Sequence, residues 1–233
     1  MNKFDLTRLI IAVACILVAG VFMLAKLVKK KNPITTKFIA RTGLFAAMSI
    51  ILYIVPGLTF GVPFFPAFLE FHFDEVPALI AGFAYGPLSG FFVILVKTLV
   101  KLPFTSTMGV GELADFIYSS VFIIPAAFMY KKNRSVKGAF IALLISTAIQ
   151  VLVSSLITSF LMLDFYIFMM GFPKEAILGM CQAANPRITS LGWTFWAYVG
   201  VPFNAMKDAI VVLITFILYK RLHRVIDKIG ENQ

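Results

Sequence analysis

A polar pair opens the last long apolar run of the chain. Asn204 and Lys207 are three positions apart, so they share one face of a helix. An amide next to an ammonium group suits a ligand that carries carbonyl groups and ring nitrogens. Lys207 could instead pair with Asp164 or Asp208, or extend to the membrane surface. The pair therefore indicates a binding site, with an ordinary ion pair as the alternative.

A second pair, Glu112 and Asp115, opens an earlier apolar run. Two carboxylates at this spacing could serve a membrane enzyme, but acids at a helix N-terminus are also favoured by the helix dipole. The chain carries no His-Glu-x-x-His, Gly-x-Ser-x-Gly or P-loop motif. We therefore predict a protein that is not an enzyme, with no catalytic residues, no metal site and no ATP hydrolysis of its own.

Further polar residues fall at the ends of apolar runs on one predicted face of the membrane. Residues 57–75 form a loop rich in Pro, Gly and Phe that also contains Glu70 and His72. A loop of this length between two spans is usually functional or disordered, and its aromatic content argues against disorder. We expect it to fold back over the protein, with Phe64, Phe65 and Phe68 able to cover a flat ligand.

The composition excludes an ordinary soluble domain. Hydrophobic residues make up 60% of the 233 residues and charged residues only 14%, and the mean hydropathy is +0.93. A soluble domain has about 45–50% apolar and about 25% charged residues. The net charge of +10 indicates the cytoplasmic cations of a membrane protein, not a nucleic-acid partner, because no basic soluble segment is present.

Charge clusters determine how the apolar runs cross the membrane. The run 76–100 contains Gly86-Pro87 near its middle, and the cations of 29–37, 131–137 and 220–224 lie on one side only if the chain turns back there. We therefore predict two short helices joined at this turn. The predicted architecture is an all-α integral membrane protein with a six-helix core.

An additional apolar run at 9–25 is predicted to be a retained transmembrane helix, so that residues 1–31 form an N-terminal helix and 32–233 the core. The first loop, 57–75, and a connection at 164–200 with short helices are then extracellular. We predict a multi-pass protein of the cell membrane with a cytoplasmic C-terminus and an extracellular N-terminus.

Three segments resemble the S components of energy-coupling factor (ECF) transporters, most closely the riboflavin-specific members. The segments are Phe68–Gly90, Gly109–Phe116 and Pro202–Lys207, and the order and spacing of these motifs are more specific than any one of them. The resemblance implies a high-affinity vitamin-binding subunit in the lipid bilayer, with no cofactor and with riboflavin as the transported ligand. It also implies a separate membrane scaffold subunit and two cytoplasmic ATPase subunits as partners.

The resemblance assigns roles to individual residues. Family ligand contacts correspond to Asn204, Lys207 and Asp164, and the family often has Asn in place of Asp164 and Asp in place of His72. Another vitamin or a nucleobase-like precursor is therefore the alternative ligand. The full set of predicted substrate-binding residues is Asn204, Lys207, Asp164, Phe64, Phe65, Phe68, Glu70, His72 and Glu112; the set predicted to contact the scaffold subunit is Ala40, Gly43, Ala46 and Ala47.

Overall fold

The structure is a computed structural model that describes residues 34–66, 68–171 and 173–231. The predicted N-terminal helix at 9–25 lies outside these residues. The described part contains nine α-helices and one two-stranded antiparallel ribbon. In chain order these are α1 (Thr36–Ile54), β1 (Phe60–Gly61), β2 (Glu70–Phe71), α2 (Glu75–Tyr85), α3 (Pro87–Lys101), α4 (Val110–Lys132), α5 (Val136–Ile157), α6 (Leu163–Met170), α7 (Lys174–Ala184), α8 (Trp193–Phe195) and α9 (Val201–Glu231).

Within the described residues, five helical stretches are long and apolar enough to cross a membrane, judged by length and composition. They are Thr36–Ile54, Pro87–Phe104, Val110–Lys132, Val136–Phe168 and Trp193–Arg224. The sixth helix of the predicted core, α2, has only 11 residues, or about 16 Å at 1.5 Å per residue. The prediction of an all-α membrane protein with a six-helix core is confirmed.

The turn at Gly86-Pro87 separates α2 from α3, as predicted. Gly86 has φ +93°, a conformation that glycine adopts without steric cost. Pro87 begins α3 at the position where its missing amide proton is least costly. The two helices then pack closely, because a Cβ on Gly90 would lie 3.3 Å from the Cα of Gly82 and 3.2 Å from the carbonyl oxygen of Ala78.

One end of the helix bundle, the basic end, carries the cation clusters. Its buried interior is aromatic: the ring of Phe83 contacts those of Tyr130 and Tyr219 at 4.6 and 5.7 Å between centroids, and the two tyrosine hydroxyls are 3.1 Å apart. Its cations lie around this interior and are mostly exposed; they are Arg41, Lys131, Lys132, Arg134, Lys137, Lys220, Arg221 and Arg224.

The connection predicted at 164–200 contains short helices, as expected, but the helices on either side extend into it. The chain continues from α5 through a π-helical segment, Thr158–Met162, into α6. A second π-helical segment, Trp196–Gly200, joins α8 to α9. Only α7 and its flanking turns lie apart from the long helices. Together with the ribbon they cover the end of the bundle opposite the basic end, around a second apolar core that includes Phe71 and Phe203.

Candidate functional site

A cavity of about 430 Å³ lies beneath the ribbon, within the range that suits a small organic ligand. Its walls combine aromatic side chains with many polar ones, which carry charged, hydroxyl and amide groups. The described lining residues are Tyr53, Thr59, Phe68, Leu69, Glu70, His72, Lys101, Ser106, Thr107, Gly111, Glu112, Ala114, Asp115, Tyr118, Thr158, Met162, Tyr166, Phe195, Gly200, Phe203, Asn204 and Lys207.

The two polar pairs of the sequence form two layers of this cavity. Helices α4 and α9 both run from the cavity toward the basic end, where Tyr130 and Tyr219 meet. Each pair is three residues apart, so its second member lies about 4.5 Å deeper along the helix axis. Glu112 and Asn204 therefore form an upper layer, and Asp115 and Lys207 form a lower layer that is closer to the basic end.

His72, from the end of the first loop, connects the lower layer. Its Nε2 lies 3.3 Å from Nζ of Lys207 and 3.6 Å from Oδ1 of Asp115, and its Nδ1 contacts Asp74. Burial, together with the ammonium groups of Lys207 and Lys97, lowers the pKa of His72 to about 3. The ring is therefore neutral, with Nδ1 donating to Asp74 and Nε2 accepting from Lys207.

Two buried lysines neutralise carboxylates below and beside His72. Lys97 contacts Asp74 and lies 2.8 Å from Oδ2 of Asp115, whereas Lys207 lies 3.4 Å from Oε1 of Glu75. All five side chains are less than one-tenth exposed. Buried charges need such partners, because an unpaired charge away from water is very costly. The alternative interpretation of the sequence, an ion pair of Lys207 with Asp164 or Asp208, thus differs from the contact with Glu75 in the structure.

A metal ion is not needed to explain this cluster. His72, Asp74 and Asp115 each place one possible ligand atom within 4.8 Å of the others. The ammonium group of Lys97, however, contacts both carboxylates and supplies the positive charge that a cation would provide. Because the buried carboxylates of this cluster are already paired with an ammonium group, they are poorly suited to bind a metal ion as well.

Six of the nine predicted substrate-binding residues line the cavity: Phe68, Glu70, His72, Glu112, Asn204 and Lys207. The other three do not. Phe64 is 57% exposed, Phe65 packs into the second apolar core, and Asp164 is exposed on α6. Their roles in binding remain predictions.

Several lining residues had no role in the sequence-based prediction. Tyr53 ends α1 with its ring 5.1 Å from that of His72 and 4.9 Å from Nζ of Lys97. Tyr118 and Thr158 share a hydrogen bond of 2.7 Å between their hydroxyls, and Tyr166 lies near Gly111. A tyrosine near the end of an apolar run is a recognisable signal, but only the fold brings these helices together.

Comparison with known proteins identifies the family. A family model described as "ECF transporter, substrate-specific component" matches residues 37–219. The chain belongs to this family. The S-component resemblance found in the sequence is therefore confirmed, and so is the prediction that the protein is not an enzyme, since family and relatives are transport components.

Curated relatives and a solved structure agree with this assignment. The S component is 30% identical to the riboflavin transporter RibU of Staphylococcus aureus (strain TCH60), over 78% of this chain and 89% of the relative. It is 29% identical to the riboflavin transporter FmnP of Bacillus subtilis (strain 168), over 75% and 87%. A solved structure described as "Structure and mechanism of the S component of a bacterial ECF transporter" superposes with a TM-score of 0.64 at 28% identity, over 81% of this chain and 96% of that chain.

Membership in the family and the five apolar spans together make this a multi-pass membrane protein. It is the substrate-binding subunit of an ECF transporter, and the cavity under the ribbon is its candidate binding site.

Proposed function

We propose that this S component binds riboflavin in the cavity for ATP-driven uptake. The observation that carries the proposal is a cavity with aromatic walls whose polar groups include Asn204 and Lys207, in a chain similar to two riboflavin transporters. A flavin has a flat, largely apolar ring system with carbonyl groups and an N–H on one edge. Aromatic walls suit the ring faces, and a few placed polar groups suit the edge.

Asn204 and Lys207 are well placed to recognise that edge. Nδ2 of Asn204 donates to the carbonyl oxygen of Gly200 at 2.7 Å, which fixes the orientation of the amide. No other hydrogen bond to this amide is made by the described residues. Its oxygen and second N–H are therefore available for a ligand N–H and carbonyl group, while Lys207 can donate to a second carbonyl group.

Binding of riboflavin tests this assignment. We expect purified protein to carry yellow flavin and, once stripped, to show quenching of Trp193 and Trp196 fluorescence as riboflavin is added. Asn204→Ala should weaken binding about tenfold, because it removes hydrogen bonds worth about 1.4 kcal/mol together. The control Gln182→Ala removes an amide from an exposed residue of α7 outside the cavity and should leave the affinity unchanged.

Other results would change the assignment. Colourless protein without quenching would contradict riboflavin, and thermal stabilisation by another vitamin would favour the alternative ligand suggested by His72 and Asp164. A loss of affinity in Gln182→Ala equal to that in Asn204→Ala would mean that the ligand does not lie in this cavity.

The proposed partners are a membrane scaffold subunit and two ATPase subunits. On α1, Ala40, Gly43 and Ala47 are exposed on one face, and no atom lies within 4 Å of a Cβ built on Gly43. Small residues let another helix approach closely. Ala46 is 2% exposed and belongs to the core, so the proposed contact face consists of the other three residues.

A bulky residue on this face separates binding from transport. We expect Gly43→Leu to retain the affinity for riboflavin in detergent but to abolish uptake into cells that also express the scaffold and ATPase subunits. The nearby Leu44→Ala, which removes bulk from an exposed position, is the matched control and should transport normally. Normal uptake by Gly43→Leu would show that the scaffold subunit binds elsewhere.

The proposed orientation places the basic end in the cytoplasm, because cations are retained on that side. The cavity then opens to the outside, and the C-terminus is cytoplasmic. With the helix predicted at 9–25, the N-terminus is extracellular.

A further inference from the structure

Glu112 has one carboxylate oxygen held by the protein and one left for a ligand. Oγ1 of Thr105 and Oγ1 of Thr107 donate to its Oε2, at 2.7 and 3.1 Å. Within the described residues, no hydrogen bond or ion pair reaches Oε1. The side chain is only 4% exposed and lines the cavity in its upper layer.

The two threonines are themselves fixed by the backbone of the turn before α4. Oγ1 of Thr105 accepts from the N–H groups of Thr107 and Gly109, at 3.1 and 3.0 Å. Oγ1 of Thr107 accepts from the N–H of Gly111 at 2.9 Å. Oγ1 of Thr105 thus accepts twice and Oγ1 of Thr107 accepts once, and each hydroxyl donates its one proton to Glu112. The carboxylate is therefore held in one orientation before any ligand arrives.

The deeper charges of the cavity are paired with each other, which distinguishes them from Glu112. Asp115 is paired with Lys97 and Lys207 with Glu75, while the ammonium group of Lys101 lies 5.2 Å from the centroid of the Tyr53 ring. Oε1 of Glu112 is thus a strong acceptor facing the cavity, and a ligand that fills the cavity and displaces its water must either donate to it or leave it unsatisfied.

We propose that Glu112 determines specificity: its Oε1 accepts hydrogen bonds from the hydroxyl chain of the ligand, and its charge excludes the same chain carrying a phosphate. The inference rests on the proposed function, because it assumes a flavin in the cavity. Hydroxyl groups make short, charge-assisted hydrogen bonds to a carboxylate. A phosphate adds about −1.5 to −2 charges and acceptor oxygens, so a fixed carboxylate selects against it.

Binding of three flavins to the full-length protein in detergent tests the inference. They are riboflavin, lumiflavin, which lacks the hydroxyl chain, and flavin mononucleotide (FMN), in which the chain ends in a phosphate. For the unmodified protein we expect riboflavin to bind at least tenfold more tightly than either of the others. Glu112→Gln should weaken riboflavin about tenfold, leave lumiflavin unchanged and reduce the preference for riboflavin over FMN about tenfold.

The matched control is Glu175→Gln, which removes the same charge from an exposed residue of α7 outside the cavity. It should leave all three affinities within about twofold. Equal effects of Glu175→Gln and Glu112→Gln on the preference would overturn the inference, because net charge alone would then explain it. A thermal-unfolding midpoint of Glu112→Gln near that of the unmodified protein excludes misfolding, and Gln can still accept from both threonines.

The test separates this inference from the proposed function. If riboflavin and lumiflavin bind equally well to the unmodified protein, or if Glu112→Gln leaves the preference over FMN intact, the role of Glu112 is wrong while flavin binding stands. If none of the three flavins binds, the proposed function fails, and the inference fails with it.

Discussion

The two ends of the bundle use charge in opposite ways. At the cavity end, Lys97 and Lys207 are buried and each contacts a buried carboxylate. At the basic end the cations are mostly exposed, and the buried interior consists of the rings of Phe83, Tyr130 and Tyr219. The first arrangement costs desolvation and provides polar contacts for a ligand; the second costs little and is held by packing.

This difference shows which residues are replaceable. A buried ion pair is weak support for stability when intact, but it leaves an uncompensated charge when one partner is removed. An exposed cation can be removed with little effect on folding. Substitutions of the same chemical kind should therefore have very different results at the two ends.

The largest effect is expected for Lys97→Met. Removing this ammonium group leaves Asp74 and Asp115 facing each other without compensation, so we expect a loss of about 3–5 kcal/mol in the free energy of unfolding. The matched substitution at the basic end, Lys131→Met, should change it by less than about 0.5 kcal/mol. Denaturant or thermal unfolding in the same detergent measures both, and similar losses would remove the distinction between the two ends.

A smaller effect is expected from Gly90→Ala, which tests whether the half of the bundle toward the basic end is held by close packing. The new Cβ would lie 2.8 Å from Cγ2 of Ile123 and 3.2 Å from the Ala78 carbonyl oxygen. Overpacking of this kind costs about 1–3 kcal/mol. Ligand affinity should be unchanged, because Gly90 lies outside the cavity.

The control for this substitution is Gly43→Ala on the open face of α1, where a Cβ meets no atom within 4 Å. It should not destabilise the isolated protein, since alanine is the better helix former. A stable Gly90→Ala variant, or one with reduced ligand affinity, would show that packing and binding are not separated in this way.

The smallest of these effects concerns pH. The pKa of His72 is about 3 in the folded protein and about 6.5 when unfolded. Between these values the unfolded chain binds a proton that the folded protein excludes. The contribution of His72 is therefore complete above pH 6.5 and is lost as pH falls, by about 1.5 kcal/mol between pH 6.5 and 5.

The thermal-unfolding midpoint should fall as the pH is lowered through this range. In His72→Gln the midpoint should depend less on pH. A parallel pH profile for His72→Gln would contradict the neutral ring in the folded state.

Much of the fold was predictable because it follows from short sequence motifs and from the distribution of charge along the chain. The hairpin at Gly86-Pro87 follows from one dipeptide and from the sidedness of cations elsewhere. Asn204 and Lys207 were found together because helical spacing places them on one face, and both line the cavity. The resemblance to the family predicted how the helices are arranged, which residue spacing alone does not.

The remaining features depend on contacts between distant residues. The connection was predicted to begin at residue 164, yet the helix continues past it. The π-helical segment Thr158–Met162 before it rotates the later residues to a different side of the helix. In the loop, Phe65 is buried and its neighbour Phe64 exposed, and the loop sequence, which is apolar on both sides of this pair, does not indicate which of the two faces the core. The partners of Lys97 lie 23 and 18 positions away in the sequence, and only packing of α3 against α4 and the loop brings them together.

Because α2 is short, the floor of the cavity lies close to the basic end of the bundle. Glu75 at its first residue contacts the lysine that lines the cavity floor, and Tyr85 at its last lies beside Arg41 of the basic end, 5.2 Å from ring centroid to guanidinium. The helix between them is about 16 Å long, whereas the hydrocarbon layer of a bilayer is about 30 Å thick. A ligand on that floor would therefore be separated from the basic end by about half of that thickness, across one short helix that packs closely against α3.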